Sequence, residues 1–258
     1  MPKRRSAAGA EDGGMQVITR VAAVLDALAR PEGAQSLGQL AARTGLPKTT
    51  VHRICGALEQ VGYVRTDAVS GRRELGPALL RLATAGRSDV AALLQPSLRK
   101  LSEELNETVD LAVLDGTQVL FVAQNPAPAR ELMAIARVGA SFPAYSLASG
   151  KVLLAGLPRE DVLRRLPPRL EPALDGRART RESVLEELET VRETGLGYEC
   201  EEMRHGICAI AVAVSAADGR TASIAVPMPT SRFEQSRARV AARLLALRDE
   251  AESRLRGV

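Results

Sequence analysis

Apolar and small residues between positions 36 and 61 recur at the spacing of two short helices joined by a turn. Ser36 and Gln39 have the S-x-x-Q spacing of a capping box, which predicts that a helix begins at Leu37. Gly45 can adopt the positive φ that ends this helix, and Pro47 fits the first turn of the next one. The pattern therefore predicts a helix-turn-helix.

The second helix, predicted from Pro47 to about Val61, separates apolar from polar residues at 100° per residue. Its apolar face comprises Val51, Ile54, Leu58 and Val61, and its opposite face comprises Thr49, His52, Arg53, Gly56 and Gln60. We expect the apolar face to pack on Leu40 and Ala41 of the first helix. The other face, with hydrogen-bond donors, a cation and a glycine, suits the major groove of DNA. The alternative is a helical hairpin with a solvated polar face.

A short hairpin is predicted directly after Gly62, with strands YVRT (63–66) and RREL (72–75) around the turn DAVSG (67–71). Its arginines are expected to point outward, near phosphates, where they add affinity without reading sequence. The alternative is that the arginines lie on a solvent-exposed hairpin edge and only increase solubility. The candidate DNA-binding residues are Ser36, Lys48, Thr49, Thr50, His52, Arg53, Arg65, Arg72 and Arg73.

Helices are predicted on both sides of this winged unit. Val17 to Arg30 has apolar residues at helical spacing, and two leucine-bearing helices follow Pro77, where Pro96 should kink or divide the second. The predicted organisation is a disordered arm at 1–14, a winged helix-turn-helix domain at 15–76, linker helices at 77–105 and a larger domain at 106–258.

From Thr108 the apolar period changes to two, which is typical of strands. A hairpin turns at Asp115-Gly116, and further strands are predicted at 131–137, in GYECEE, in ICAIAVAV and in TASIAVPM. Helices are predicted at 146–157, from Pro158 to Leu166, from Thr180 to Gly195, and from about Ser231. Strands interleaved with helices that cover one side indicate an α+β domain on a mainly antiparallel sheet. A domain of this size suggests a sensor.

Positive charge is concentrated in the first third of the chain. The net charge is +4. Residues 1–75 contain 11 Lys and Arg against 7 Asp and Glu, whereas residues 76–258 contain 24 of each. This location favours attraction of the predicted DNA-binding unit to a polyanion.

Cysteine and histidine are too sparse to indicate a metal cluster. The three cysteines form no C-x-x-C pair, and there are two histidines, so neither zinc nor another cofactor is expected. Cys208 is expected to be a small buried apolar residue. The first residues lack an apolar core, and no stretch approaches ~20 apolar residues. These observations predict a cytoplasmic protein with reduced thiols that does not interact with membranes.

An enzyme is the rival class of function. Gly150-Lys151 suggests a phosphate loop, but the glycine and the hydroxyl residue that the motif requires are Tyr145 and Val152 here. Ser149 and Lys151 diverge on a helix, which disfavours a nucleophile pair. Glu201 and Glu202 lie near His205 but face opposite sides of a strand. No catalytic residue is therefore assigned.

Ordered motifs along the chain resemble the IclR-type transcriptional regulators from Val17 to about Leu247. They are GLPKTTVHRI (45–54), GYV (62–64), GRRELG (71–76), SGKVLLA (149–155), VRETGLGYECEE (191–202), GICAIA (206–211) and PTSRF (229–233). The resemblance implies an N-terminal winged helix-turn-helix, a linker helix and a C-terminal GAF-like domain that binds a small-molecule effector. It also implies a homodimer that can pair into a tetramer on double-stranded operator DNA. Repression is the expected sign of regulation.

The resemblance also implies where the effector binds. The implied effector-binding residues are Phe142, Ala148, Ser149, Glu199, Ile207, Ala209, Ala225 and Pro227. Burial in the core is the alternative for the apolar strand residues among them. Hydroxyl residues frequent in the family are replaced here in the Ala225 to Pro229 strand end, and Glu199 adds a negative charge. We therefore expect an effector that is larger than a small anionic keto acid and less polar or hydroxylated.

Overall fold

The structure is a computed structural model that describes residues 8–30, 32–85, 89–130, 137–174 and 176–255. The chain divides into two compact units between Arg87 and Ser88. Of the strand predicted at 131–137, residues 131–136 lie outside the described residues. The first unit contains α1 (Ala8–Leu28), α2 (Leu37–Thr44), α3 (Lys48–Gln60), β1 (Val64–Thr66), β2 (Arg73–Leu75) and α4 (Ala78–Ala85).

The helix-turn-helix is formed by α2 and α3. Ser36 Oγ accepts a hydrogen bond from the Gln39 N–H at 3.2 Å, and Gln39 Oε1 accepts one from the Ser36 N–H at 2.9 Å, so the predicted capping box is confirmed. Gly45 has a φ of 67° and ends α2 in the left-handed conformation. The core of the unit combines residues of α1, the apolar faces of α2 and α3, and the first residue of β1. Its members are Val24, Ala27, Leu28, Leu40, Val51, Ile54, Cys55, Leu58 and Val64.

Two details of this unit differ from the prediction. Val61 is 54% exposed, because α3 ends at Gln60 and Val61 is its C-cap. Cys55 is buried in the same core instead. At the other end, α1 begins at Ala8, so residues 8–14 of the predicted disordered arm are helical. Extending an existing helix adds a backbone hydrogen bond per residue without a new nucleation cost.

The predicted hairpin after α3 is present, with antiparallel strands in which Val64 pairs with Leu75 and Thr66 with Arg73. Gly76 then brings the chain back onto the end of α3. A Cβ at this position would lie 2.1 Å from the Gly62 oxygen, so only glycine allows the approach. The Gly76 N–H donates to the Tyr63 oxygen at 2.7 Å, and the Ala78 N–H donates to the Gly62 oxygen at 3.2 Å.

The second unit is an α+β domain. Its helices are α5 (Asp89–Leu105), α6 (Ala148–Ala155), α7 (Arg159–Arg165), α8 (Arg181–Thr194) and α9 (Thr230–Leu255), with a 3-10 turn at Ala144–Ser146. Its strands are β3 (Val109–Asp115), β4 (Gln118–Asn125), β5 (Ser141–Pro143), β6 (Gly197–Cys200), β7 (Ile207–Ser215) and β8 (Thr221–Pro229). The six strands follow the order β5-β4-β3-β8-β7-β6 with antiparallel neighbours throughout, which confirms the predicted fold class.

Helices cover both faces of this sheet, so the expectation that they cover one side is wrong. One core joins α5 and α9 to the face that carries Leu111, Ile210 and Ile224. The other joins α6, α7 and α8 to the face that carries Ala112 and Ala211. The reason is visible in β7, whose residues from Cys208 to Val212 are all buried. A continuously apolar strand needs cover on both of its faces.

The two helices predicted as a linker fall in different units, α4 in the first and α5 in the second. Pro96 lies inside α5 and does not divide it. Leu94, Leu98 and Leu101 are buried on either side of this proline. Their burial compensates for the backbone hydrogen bond that proline cannot make.

A disulfide joins Cys200 and Cys208, which contradicts the expectation that these thiols are reduced. Cys208 is fully buried in the apolar core, as expected. The two cysteines are directly paired in the register of β6 and β7. Opposite residues of an antiparallel pair are close enough for their sulfurs to bond. The two cysteines are eight residues apart in sequence, and this spacing alone does not predict the disulfide, because the pairing depends on the register of the hairpin.

Candidate functional site

The exposed side of α3 presents a continuous polar surface. Lys48, Thr49, His52 and Arg53 are exposed and Thr50 is half-buried, whereas Val51, Ile54 and Leu58 on the opposite side are buried. Neither Lys48 nor Arg53 forms an ion pair with another described residue. Their charges are therefore available for phosphate or base contacts.

Ser36 lies at the start of α2, where its hydroxyl oxygen is used as the helix cap. An N-terminal cap leaves backbone N–H groups of the first turn directed outward, which is favourable for an anion. Ser36 can therefore contribute to phosphate binding through its position, in addition to the hydroxyl proton that it can still donate.

The three wing arginines have different surroundings. Arg65 is 64% exposed and pairs with Glu74 at 2.8 Å, and the exposed Arg72 donates to the Ala34 oxygen at 3.3 Å. Arg73 does not point outward as predicted. It is half-buried, its Nε is buried with no hydrogen-bond partner among the described residues, and its Nη1 donates to the Gly71 oxygen.

The register of the wing explains this correction. The backbone of Arg73 exchanges two hydrogen bonds with Gln35, each of 2.7 Å. The side chain of Arg73 lies near enough to Cys55 for its charge to act on the thiol. Burial raises the pKa of the Cys55 thiol, and the positive charge of Arg73 opposes that rise. Arg73 is thus held within the unit.

A cavity of about 120 Å³ lies in the second unit, between the sheet and the start of α6. All eight residues implied as effector-binding line it. Phe142, Ala148 and Ser149 lie before and at the start of α6, and the other five lie on β6, β7 and β8. The lining also includes Asp110, Phe121, Leu147, Met203 and Arg204, which the sequence interpretation missed.

Two buried carboxyl groups distinguish this cavity. Asp110 on β3 accepts a hydrogen bond from Gln124 Nε2 at 2.7 Å, and desolvation raises its pKa to about 7. Glu199 on β6 accepts from the backbone N–H groups of Glu202 at 3.1 Å and Met203 at 3.4 Å. Desolvation, reinforced by the Glu202 charge, raises the pKa of Glu199 to about 7 against the effect of these backbone bonds.

Gly150 brings α6 close to the cavity. A Cβ at residue 150 would lie 1.9 Å from the Ala144 oxygen, so a side chain here would push α6 away from the 3-10 turn. Gly197 plays a similar part on β6, where a Cβ would lie 2.7 Å from the Ala148 oxygen. The two glycines allow Ser149, which is 3% exposed, to reach the cavity wall.

Lys151 is fully buried beneath this wall. Its Nζ donates to Glu187 at 2.6 Å, to Glu202 at 2.5 Å and to the Tyr198 oxygen at 2.9 Å. Arg179 extends the cluster by donating to Glu202 at 2.5 Å and to Ser146 at 2.8 Å. All three ammonium protons of Lys151 are thereby used, and the ion cluster fixes α6 to α8 and to the loop after β6.

The candidate catalytic groups do not converge. Lys151 is engaged in the ion cluster, so it is not available to activate Ser149. Glu201 Oε1 accepts the Gly206 N–H at 2.5 Å, Glu202 pairs with Lys151, and His205 is exposed.

Within the described parts of the chain, no three His, Cys, Asp or Glu side chains are grouped closely enough to hold a metal ion. Nor does any helix described there combine the length and apolar character needed to cross a bilayer.

Comparison with known proteins agrees with the division of the chain into two units. Residues 17–68 match the IclR helix-turn-helix domain, and residues 82–253 match the domain described as bacterial transcriptional regulator IclR C-terminal. The chain therefore belongs to the IclR family. It is a transcriptional regulator with a helix-turn-helix DNA-binding domain and a C-terminal effector-binding domain, as the sequence predicted.

Individual relatives cover most of the chain. It is 40% identical over 234 residues to the HTH-type transcriptional regulator Rv1719 of Mycobacterium tuberculosis, covering 91% of this chain and 90% of that protein. It is 37% identical to the HTH-type transcriptional regulator TtgV of Pseudomonas putida, covering 85% and 84%. The transcriptional repressor IclR of Escherichia coli is 28% identical, covering 87% and 84%.

Solved structures show the same fold. The IclR transcriptional regulator from Alicyclobacillus acidocaldarius superimposes with a TM-score of 0.79 at 27% identity, covering 92% of this chain and 98% of that one. An IclR homologue from Microbacterium hydrocarbonoxydans, solved in complex with 4-hydroxybenzoate, has a TM-score of 0.76 at 24% identity and covers 94% and 100%.

Proposed function

We propose that this regulator is a cytoplasmic repressor that binds operator DNA as a homodimer and changes its operator affinity when a small metabolite occupies the cavity of the second unit. The single observation that carries the proposal is the cavity itself, because all eight residues implied as effector-binding line it. The relative in Escherichia coli is named a repressor, which supports the sign of regulation.

In this proposal the exposed face of α3 enters the major groove. Thr49, Thr50 and His52 face base edges, while Lys48 and Arg53 contact bases or nearby phosphates. Ser36 at the start of α2 and Arg65 and Arg72 on the wing contact the backbone, since they are near helix and hairpin edges. Arg73 contributes by holding the wing, because its side chain is turned inward.

A homodimer would place two α3 helices in successive major grooves of a near-palindrome. Several large apolar side chains of the first unit are left exposed, and they support association of two copies. They include Val17 at 54%, Ile18 at 71%, Leu80 at 71% and Leu82 at 53% exposed. Light scattering of the full chain, alone and with operator, distinguishes the dimer from a tetramer.

The effector acts by differential binding: it favours the geometry of the regulator that fits the operator spacing or the one that does not. We propose that this effector is larger than a small anionic keto acid and is either less polar or hydroxylated. Tight binding of pyruvate or glyoxylate with no preference for bulkier compounds would contradict that choice. An enzymatic role is not proposed, because Lys151 and Glu202 are consumed by the ion cluster.

Footprinting on the DNA that flanks the gene tests the proposal. We expect protection of two half-sites separated by about one helical turn, ~34 Å, at low salt. Protection should weaken steeply as salt increases. Failure to protect any flanking fragment at low ionic strength, with or without candidate metabolites, would overturn the proposal.

A further inference from the structure

Three buried polar side chains among the described lining residues have unused hydrogen-bonding capacity. Asp110, Ser149 and Glu199 are only 2%, 3% and 3% exposed. One oxygen of Asp110 is bonded to Gln124, and one oxygen of Glu199 takes both of its backbone bonds. The second oxygen of each carboxyl, and the Ser149 hydroxyl, have no partner among the described residues. A ligand that donates hydrogen bonds would satisfy them.

The charges around the cavity favour a cation. Below the wall, Lys151 and Arg179 are matched by Glu187 and Glu202, so this cluster is balanced. Asp110 and Glu199 remain as carboxyl groups with no ion-pair partner in the described parts of the chain, and Gln124 beside Asp110 is neutral. Among the described residues that line the cavity, the one cation is Arg204, and it is exposed, where solvent screens its charge.

The rest of the cavity selects an apolar body of limited size. Phe121, Phe142, Leu147, Met203 and Ile207 are among its lining residues. Its volume, about 120 Å³, is comparable with the ~150 Å³ engineered cavity that accepts benzene. Asp110 on β3 and Glu199 on β6 are separated by β8 and β7, a backbone span of roughly 14 Å at the usual strand spacing. A single ring fits between these ends.

We propose that the cavity binds a single-ring ligand that carries a protonated amine and no carboxylate. The proposal rests on the assignment of this cavity as the effector site. An ammonium group supplies three donors and the charge that an ionised carboxylate needs in a buried site. A neutral hydroxyl would satisfy one acceptor without compensating either charge. A carboxylate would have to approach two acidic groups and rely on Arg204 alone.

The proposal has a consequence for the pH dependence of binding. Desolvation keeps the pKa of Asp110 and of Glu199 near 7 in the empty cavity. The carboxyl that pairs with the amine must be ionised, so binding releases its proton. Amine affinity should therefore fall about tenfold from pH 8 to pH 6 for each carboxyl that must ionise.

Calorimetric titration of the full chain with three matched probes tests the proposal: benzylamine, benzyl alcohol and benzoate. We expect benzylamine to bind tightest and benzoate weakest at pH 7.5, with benzylamine weakening at pH 6. Asp110→Asn or Glu199→Gln should weaken benzylamine at least ~10-fold while changing benzyl alcohol little. His205→Gln, an exposed change next to Arg204, should leave all three affinities unchanged. Melting temperatures verify that each variant is folded.

The proposal is overturned if benzoate binds tightest and Arg204→Gln weakens it, since the cavity would then select an anion. Absence of benzylamine binding at millimolar concentration also overturns it. Operator binding is measured on the same wild-type preparation. If operator is bound while benzylamine is not preferred, only the ligand assignment fails, whereas loss of operator binding defeats the proposed function itself.

Discussion

At the scale of single residues, the exposed cations of α3 have the most direct consequence for DNA recognition. Arg53 is exposed and has no ion-pair partner among the described residues. If it contacts a guanine through both terminal nitrogens, Arg53→Ala should lose about 1–3 kcal/mol of operator binding and relax specificity at one base position. Gel-shift titrations on operator and on single-base variants measure both effects.

Arg30→Ala provides a charge-matched control for this prediction, because it removes the same charge from an exposed position just after α1. The affinity of the Arg30→Ala protein for the operator should change little, and its preference among the single-base variants should be unchanged. Equal affinity and selectivity for Arg53→Ala and the wild type would exclude Arg53 from base recognition.

Lys151 is the second residue whose loss should be large. Lys151→Ala removes the centre of the buried cluster and leaves Glu202, whose side chain is 12% exposed, with Arg179 alone. We expect the free energy of unfolding to fall by about 3 kcal/mol, since removing one partner of a buried ion pair leaves the other uncompensated. Urea unfolding measures this value.

The matched control is Glu187→Gln, which alters the more exposed end of the same cluster. The Glu187 side chain is 41% exposed, so solvent already screens its interaction and the cost should stay within about 1 kcal/mol. If both variants cost the same, the cluster does not depend on burial of the lysine.

At the scale of secondary-structure elements, the position of α6 against the 3-10 turn is set by Gly150. Gly150→Ala places a methyl group 1.9 Å from a backbone oxygen, which cannot be relieved by rotating a side chain. We expect a loss of about 3 kcal/mol or more in stability, together with loss of ligand binding as α6 moves from the cavity. Urea unfolding and probe titration are the two measurements.

Gly156→Ala offers a control at the C-cap of the same helix. A Cβ at residue 156 would lie 3.6 Å from the Leu153 oxygen, an ordinary contact, and the residue has a right-handed helical conformation. Its stability should stay within about 1 kcal/mol of the wild type. If both variants lose a comparable amount of stability, the close approach of Gly150 to the Ala144 oxygen is not the cause of the loss.

Elements with a strong period were predictable from the sequence, and contacts that depend on register were not. The capping box at Ser36 and the apolar face of α3 follow from local spacing. The Cys200–Cys208 bond and the inward turn of Arg73 depend on which residues pair across strands. The alternation in TVDLAVL could have revealed Asp110. It places Asp110 on the same face of β3 as Ala112, and Ala112 packs in the core with α6, α7 and α8, whereas Leu111 packs in the core with α5 and α9.

At the scale of the whole molecule, the residues expected in the cavity come from segments far apart in sequence, and only the antiparallel sheet brings them together. Phe142 and Pro227 are separated by 85 positions yet line one cavity. The family resemblance supplied those positions, because periodicity alone assigns such residues to the core. The same assembly buries Asp110 and Glu199, so the stability of the second unit is linked to the protonation of its ligand site.

That linkage predicts a fall in stability as pH rises. Burial raises the pKa of Asp110 and of Glu199 to about 7, above the usual value in an unfolded chain, so the folded state binds more protons in the interval between. Their contribution to the free energy of unfolding is fully present below about pH 4 and is lost as pH rises through 7, by at most ~1.4 kcal/mol per pH unit for each carboxyl.

Urea unfolding at pH 5.5, 6.5, 7.5 and 8.5 measures the slope of stability against pH. Tyrosine fluorescence reports mainly on the second unit, since Tyr145 and Tyr198 lie there. Asp110→Asn should remove about half of the slope, and the double variant with Glu199→Gln should remove most of it, because the neutral amides do not titrate. A wild-type slope that both variants retain would assign the pH dependence to other groups.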